Sequence, residues 1–453
     1  MRYYFTVLLC VLILGVPWFA TNYPDQTQSF VTAFNESTSY LASVIMHNPR
    51  SITDLHARYN AATAVDSSTY AQDLFSSSKS SNGSSTNILN ASLTNPKIRI
   101  LIVPGHEPDF GGTQYTAPDG TLLLERNMTV ELAQDLMGFI KSNPHYQAQT
   151  TRDTSAWSQT FAQYFKDNWD AIVQWQKDSH AEMRHLVAIG SSTQTVSQVF
   201  HNAAPLNVAL RLYGITKWAN ENFMDLVIHI HFNDFAGHRD GVPGKYTGFA
   251  IYVPAKQYDN STTTKIIAET VFKRLSKYNP ISNLPGESTG IVDEPDLIAI
   301  GANNTADAAS MLIEYGYIYE PQFLNPDTRS LAIKDLAFQT YLGLQDFFDP
   351  TLSEQLARPY DTLILPYNWK GTFSSKKLSS PDVYALQTAL LLDGTYPPSG
   401  FGKNDCPRSG TLGPCTKNAI NAFQTKHGIV GETGTVGAKT LDVLNSQFGI
   451  KTL

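Results

Sequence analysis

Residues 225–234 read DLVIHIHFND, a run in which Leu226, Val227, Ile228, Ile230 and Phe232 surround two histidines, His229 and His231, between acidic residues. Such a continuous apolar run is the pattern of a strand covered on both faces, as in a largely parallel sheet. Side chains alternate along a strand, so His229 and His231 point to the same side. A second run, KIRILIVPG at 97–105, ends in Pro-Gly, as a strand entering a loop does, and His106 follows at once.

Outward from these two strands the chain alternates. Glu125–Ser142 carries helical spacing through Met128, Leu132, Leu136 and Ile140; YQAQTTR at 146–152 reads as a short strand; 206–222 is helical. After the histidine strand come GFAIYVP at 248–254 as a strand, 264–278 as a helix, then the apolar segments DLIAIG at 296–301 and SMLIEYG at 310–316. This alternation predicts an α/β fold, a mixed twisted sheet covered by helices. Residues 157–201 interrupt it with a polar-aromatic stretch, helical around 161–179, that reads as a lid or a surface insertion.

The rest of the chain has a different texture. Residues 3–20, YYFTVLLCVLILGVPWFA, lie behind Arg2 and read as an export signal, removed or kept as a membrane anchor, which places the remainder outside the cytoplasm. Residues 21–96 are rich in Ser, Thr and Asn and read as a stalk with a helix within 39–75. A linker with several prolines spans 348–377, and 378–453 carries helical spacing that predicts a second, small three-helix domain. In it VYALQTALLLDG (383–394) and AINAFQTKHGI (419–429) form a weak internal repeat. Gln387 and Gln424 hold equivalent places there, as ties between helix and loop. Cys406 and Cys415 flank one short turn, a spacing that allows a local disulfide.

Composition narrows the classes further. With 453 residues, 42% hydrophobic and 16% charged, the chain can bury large cores, which excludes a fibrous or wholly disordered protein. Its net charge of -7 offers no general basic field for nucleic acid.

Four polar residues interrupt apolar segments: His106 after its strand, Glu125 opening a helix, His231 within its strand, and Glu314 in SMLIEYGY. Two imidazoles and a carboxylate are a ligand set for catalytic zinc that leaves a position for water, with a further carboxylate to move protons. The spacing is not a compact HExxH helix, and each histidine alone also fits a packed structural role.

The motifs PGHEPDFGG (104–112), LERNMTVEL (124–132), DLVIHIHFND (225–234) and MLIEYGYIYEP (311–321) resemble, in order, those of the zinc-dependent N-acetylmuramoyl-L-alanine amidases of the Amidase_3 type. The likeness spans about 97–347 and takes in TRD at 151–153, 206–220 and 247–254. It implies that His106, Glu125 and His231 bind zinc and that Glu314 is the catalytic carboxylate. Glu107 and Pro108 replace the Gly-rich turn usual after the first histidine, and His229 stands where Ser is common. His229, Asp109 and Asn233 are candidates for supporting a ligand or contacting substrate; Arg152 reads as a structural ion pair. Residues 378–453 resemble the type 1 peptidoglycan-binding domain. Together these imply peptidoglycan as partner and hydrolysis of the amide between N-acetylmuramic acid and L-alanine. A zinc peptidase acting on stem peptides and a non-catalytic wall-binding protein are the alternatives.

Overall fold

A computed structural model describes residues 49–61, 97–235, 238–371, 373 and 379–451. The apolar run 3–20 and most of the stalk lie outside these residues; 52–61 are helical. Among the described residues no helix is long and apolar enough to cross a membrane.

In chain order the strands are β1 (Ile98–Pro104), β2 (Gln114–Thr116), β3 (Leu122–Leu124), β4 (Tyr146–Thr150), β5 (Leu226–Asn233), β6 (Ala250–Pro254), β7 (Ile291–Glu294) and β8 (Ala309–Tyr317). Six form one sheet in the order β4-β1-β5-β8-β6-β7, while β2 and β3 pair as a separate hairpin. The first four in that order run parallel; β6 is antiparallel to β8 and parallel to β7. The sheet is therefore mixed and helix-covered, as the alternation predicts.

Seven helices belong to this part of the chain: α1 (Glu125–Lys141), α2 (Gln159–Ala188), α3 (Leu206–Glu221), α4 (Ser261–Tyr278), α5 (Pro321–Leu324), α6 (Pro326–Phe348) and α7 (Pro350–Leu356). On one face Ile98, Ile100, Ile102, Leu226, Ile228, Ile230 and Phe232 join the main core with residues of α1, α4 and α6. On the other, Leu101, Val103 and Val227 meet Phe161, Phe165 and Ile172 of α2 and Leu210, Tyr213 and Trp218 of α3. The insertion is thus no lid over its helical length. Its helix runs past the expected 161–179, and a stripe of aromatics seals the sheet's second face.

DLIAIG is not a strand: Ile298–Ile300 form a 3-10 turn that stops at Gly301 in the left-handed region, φ 104°. The strand is IVDE just before it. A four-residue apolar run between Asp296 and Gly301 fits a buried turn as well as a strand, and periodicity alone does not separate them.

Three helices make the second domain: α8 (Pro381–Asp393), α9 (Pro414–Lys426) and α10 (Ala438–Phe448). Ser380 accepts a hydrogen bond from Val383 N, Pro381 sits at the first turn, and Gly394 ends α8 at φ 82°. The repeated glutamines do equivalent work. Gln387 accepts from Gly410 N and donates to Thr416 Oγ1; Gln424 accepts from Gly434 N and donates to Thr440 Oγ1. Cys406 and Cys415 are joined in a disulfide.

The segment entering this domain is no free tether. Ile364, Leu365 and Trp369 are buried in the same core that contains Tyr384, Leu386, Phe423 and Leu444. Arg408, inside the disulfide-closed loop and 4% exposed, donates to Tyr278 O at 3.0 Å and Asn279 Oδ1 at 3.2 Å, and pairs with Asp335 Oδ2 at 3.4 Å. Its guanidinium lies between the rings of Tyr278 and Tyr384, at 4.9 and 5.0 Å. The helical domain is mounted on α4 and α6.

Candidate active site

Open α/β sheets bind ligands beyond the carboxyl ends of their strands. There β1 delivers His106, β5 delivers His231 and β8 delivers Glu314. His231 and Glu314 are partners in the β5–β8 register. Glu125 arrives from outside the sheet: the β2–β3 hairpin leads straight into α1, and Glu125 N donates to Thr113 O at 3.0 Å, fixing the first turn. A carboxylate in that turn is also favoured by the helix dipole.

His106, Glu125 and His231 offer ligand atoms that all lie within 4.8 Å of one another. His106 Nε2 is 2.8 Å from Glu125 Oε2, and His231 Nδ1 is 3.1 Å from Glu125 Oε1. His106 Nε2 is buried without a hydrogen-bond partner despite that approach. Ligand atoms at about 2.0–2.1 Å from a tetrahedral zinc stand about 3.3 Å apart. The separations and the two-imidazole, one-carboxylate donor set therefore fit a zinc-sized cation.

The backbone here is tightly constrained. His106 itself has φ 69°, a left-handed conformation that a β-carbon disfavours and that tends to be kept at functional sites. A β-carbon on Gly105 would lie 2.4 Å from the His231 ring, so only glycine lets the two ligand-bearing segments approach.

Electrostatics follow from burial. Burial alone would raise the Glu125 carboxyl, but His106 and His231 outweigh it and hold it well below the usual carboxylate range. Glu125 also accepts from Thr113 N at 2.9 Å and Phe232 N at 3.1 Å. Burial pushes Glu314 well up, with the negative charges of Glu125 and Glu287 adding to it, and its Oε2 has no partner. His231 is lowered by burial against the opposing pull of Glu125.

The remaining candidates separate. His229 lies on the His231 side of β5, 2% exposed, but outside the convergent group; burial, then His231, pushes it down to about 3, so it is a neutral imidazole. Asp109 is exposed on the turn, whereas Glu107 is buried and pairs with Arg211 of α3 at 3.0 Å. Arg211 in turn lies 5.9 Å over the Trp169 ring. Asn233 donates to Glu287 Oε1 at 2.9 Å.

Arg152 takes a role its sequence reading missed. It is 1% exposed, and in place of the expected ion pair it makes carbonyl contacts: Pro104 O at 3.3 Å, Arg126 O at 3.0 Å, Asp153 O at 2.9 Å and Gly105 O. Burial lowers it to about 10, which leaves it charged at neutral pH. One guanidinium thus clasps the backbone before His106 and just after Glu125. No sequence spacing announces that; only the TRD motif drew notice to the position.

Comparison with known proteins assigns two parts of the chain to families. Residues 100–325 match the Amidase_3 family model, described as N-acetylmuramoyl-L-alanine amidase, and 379–444 match a putative peptidoglycan binding domain. Among solved structures the chain is similar to an N-acetylmuramoyl-L-alanine amidase from Clostridium difficile 630, at 15% identity and TM-score 0.35 over 56% of this chain and 98% of that one. It is also similar to Ami1 from Mycobacterium smegmatis, at 14% identity and TM-score 0.35 over 56% and 100%. No curated protein matches the chain. The structural likenesses are too distant to bear weight, so assignment stands on the two family matches. Residues 100–325 are thus an N-acetylmuramoyl-L-alanine amidase domain of the Amidase_3 family, and 379–444 a peptidoglycan-binding domain.

Proposed function

We propose that His106, Glu125 and His231 hold a catalytic zinc ion and that Glu314 moves the protons in hydrolysis of the amide between N-acetylmuramic acid and L-alanine. The convergence of three ligand atoms beside a buried carboxylate carries this reading. Zinc in this site supplies Lewis acidity that polarises the scissile carbonyl and makes water nucleophilic at neutral pH. The chain's own residues do the rest. Glu125 is tied to Thr113 N and Phe232 N, so its carboxylate is held ionised and in place. Glu314 Oε2, buried and unpartnered, takes the proton of the attacking water and passes it to the departing nitrogen of L-alanine. A lactyl carboxylate and a free L-alanine amine result. His229 stays neutral behind His231 and fills the strand's second polar position.

In this layout residues 97–347 are the catalytic domain and 378–453 the wall-binding domain, with 348–377 joining them; of the expected stalk 21–96, the helix 52–61 is instead packed into the catalytic domain's core through Leu55 and Tyr59. Residues 1–20 direct export, as a signal or an anchor, and the enzyme works on the extracytoplasmic face. The helical domain raises the local substrate concentration without joining the chemistry.

The test is metal content and product analysis of the purified chain with a muramyl tripeptide. One zinc per chain and a new N-terminal L-alanine are expected. Glu314→Gln should keep the zinc and lose about 10²–10⁴ in turnover. Undiminished turnover removes Glu314 from the scheme, and a new amine elsewhere in the stem makes the enzyme a peptidase.

A further inference from the structure

Glu287 is the buried charge that the hydrolytic scheme leaves unused. It sits in the turn between α4 and β7 and is 1% exposed. Its hydrogen-bond donors are all neutral: Tyr252 Oη at 2.5 Å and Asn233 Nδ2 at 2.9 Å on Oε1, and Tyr317 Oη at 3.3 Å on Oε2. These three come from β6, β5 and β8, so one carboxylate ties together the strand that carries Glu314 and the two strands that flank it. A buried carboxylate held only by neutral donors is costly, and groups of that kind concentrate at working sites.

Of these donors Asn233 is the one not sealed from solvent. It lies two residues beyond His231 at the carboxyl end of β5, opposite Tyr317 of β8, and is half-buried while Glu287, Tyr252 and Tyr317 are sealed behind it. Its Oδ1 accepts from Asp234 N at 2.8 Å, and one Nδ2 hydrogen goes to Glu287. Those two bonds fix which end of the carboxamide is oxygen and which is nitrogen. Among the described residues the second Nδ2 hydrogen has no acceptor.

We propose that Glu287 is a positioning residue for substrate binding, which pins the Asn233 carboxamide so that its remaining N–H donates to a backbone carbonyl of the stem peptide entering beside Glu314. The assignment rests on the amidase reading above. Asn233 touches the substrate; Glu287 acts through it. A donor engaged alike by bound substrate and transition state lowers KM and leaves kcat nearly unchanged.

The experiment uses the full zinc-loaded chain and a muramyl tripeptide, with kinetics in the active enzyme and calorimetric affinity in the Glu314→Gln background. Asn233→Ala should raise KM and weaken affinity about tenfold, the scale of one lost hydrogen bond, with kcat within about threefold and zinc content and melting temperature unchanged. Asn233→Asp should be worse than Asn233→Ala, because it puts a second carboxylate against Glu287. Adding Glu287→Gln should bring that variant back to the alanine level. Wild-type affinity in Asn233→Ala overturns the donor role. An Asn233→Asp penalty that is the same with Glu287 and with Glu287→Gln overturns the positioning role, as does any loss that tracks lost zinc or lost fold. Failure of the amidase reading is distinct, since wild-type enzyme would then release no L-alanine amine.

Discussion

Replacing Arg152 by leucine separates two effects that its burial couples. The side chain donates to Pro104, Gly105 and Arg126 carbonyls and to Thr129 Oγ1 at 3.2 Å. Each hydrogen bond from a charged group contributes about 1.5–3 kcal/mol, and a buried acceptor left unpaired costs about 1–3 kcal/mol. Against this stands the relief of no longer burying a charge, several kcal/mol. The buried carbonyls decide the sign, because leucine fills the space yet offers them nothing, and among the described residues only Gly105 O and Arg126 O keep another side-chain donor, Thr129 Oγ1 at 3.3 and 3.1 Å. A net loss of about 3–5 kcal/mol in unfolding free energy follows. Arg126 O follows directly on ligand Glu125, and Gly105 O immediately precedes ligand His106, so the clasp also aligns both ligands. Loss of such support typically weakens metal affinity about 10–100-fold. Chelator competition would read the zinc constant at a temperature where circular dichroism shows the variant folded. Arg152→Lys, with three donors on a point charge, should recover part of the stability but little of the affinity. Zinc affinity within threefold of wild type in folded Arg152→Leu refutes the clasp.

Three further outcomes follow from the same geometry. Gly105→Ala brings a β-carbon to 2.4 Å from the His231 ring and should abolish stoichiometric zinc binding while the sheet still folds; full occupancy by elemental analysis would contradict this. Arg408→Ala removes a fully buried partner of Asp335 and should cost about 3 kcal/mol, splitting thermal unfolding into two steps with the helical domain first, whereas a single unchanged transition would show that the mounting does not depend on Arg408. Glu432 accepts from Gly437 N, Lys439 N and Thr440 N at the start of α10, and its bonds, that to Thr440 Oγ1 foremost, lower its pKa in the folded state. Its support is therefore present above the unfolded carboxyl range and lost as pH falls through the folded value; the melting temperature of Glu432→Gln should fall less between pH 5 and pH 3 than that of the wild type, and parallel curves would refute it.

The parts of the site legible in the sequence are those whose chemistry conflicts with their local surroundings. His106, Glu125, His231 and Glu314 stand out because each interrupts an apolar strand or opens an apolar helix, and the two-residue period of a strand is enough to put His229 on the side of His231. The fold itself followed from the same contrast, apolar runs alternating with helical spacing. DLIAIG is ambiguous because its four apolar residues bury equally well in a turn.

What stayed hidden depends on partners far along the chain. Asp109 and Glu107 are indistinguishable by type, and the order of promise between them reverses once Arg211, about a hundred positions away, pairs with Glu107. Glu287 lies in a Pro-Gly turn that reads as surface, yet residues of three strands close over it. Arg408 reads as a loop arginine until Tyr278, Asp335 and Tyr384 enclose it. In each case the charge is buried by elements that only the completed sheet brings together. A residue's type sets what it can do, but burial decides whether it must have a partner, and burial of an isolated polar residue in a loop leaves no periodic trace. Two carboxylates that meet β8 illustrate the point: Glu314, half-buried, was visible because its own strand is apolar, and Glu287, sealed more deeply, was not because its own turn is polar.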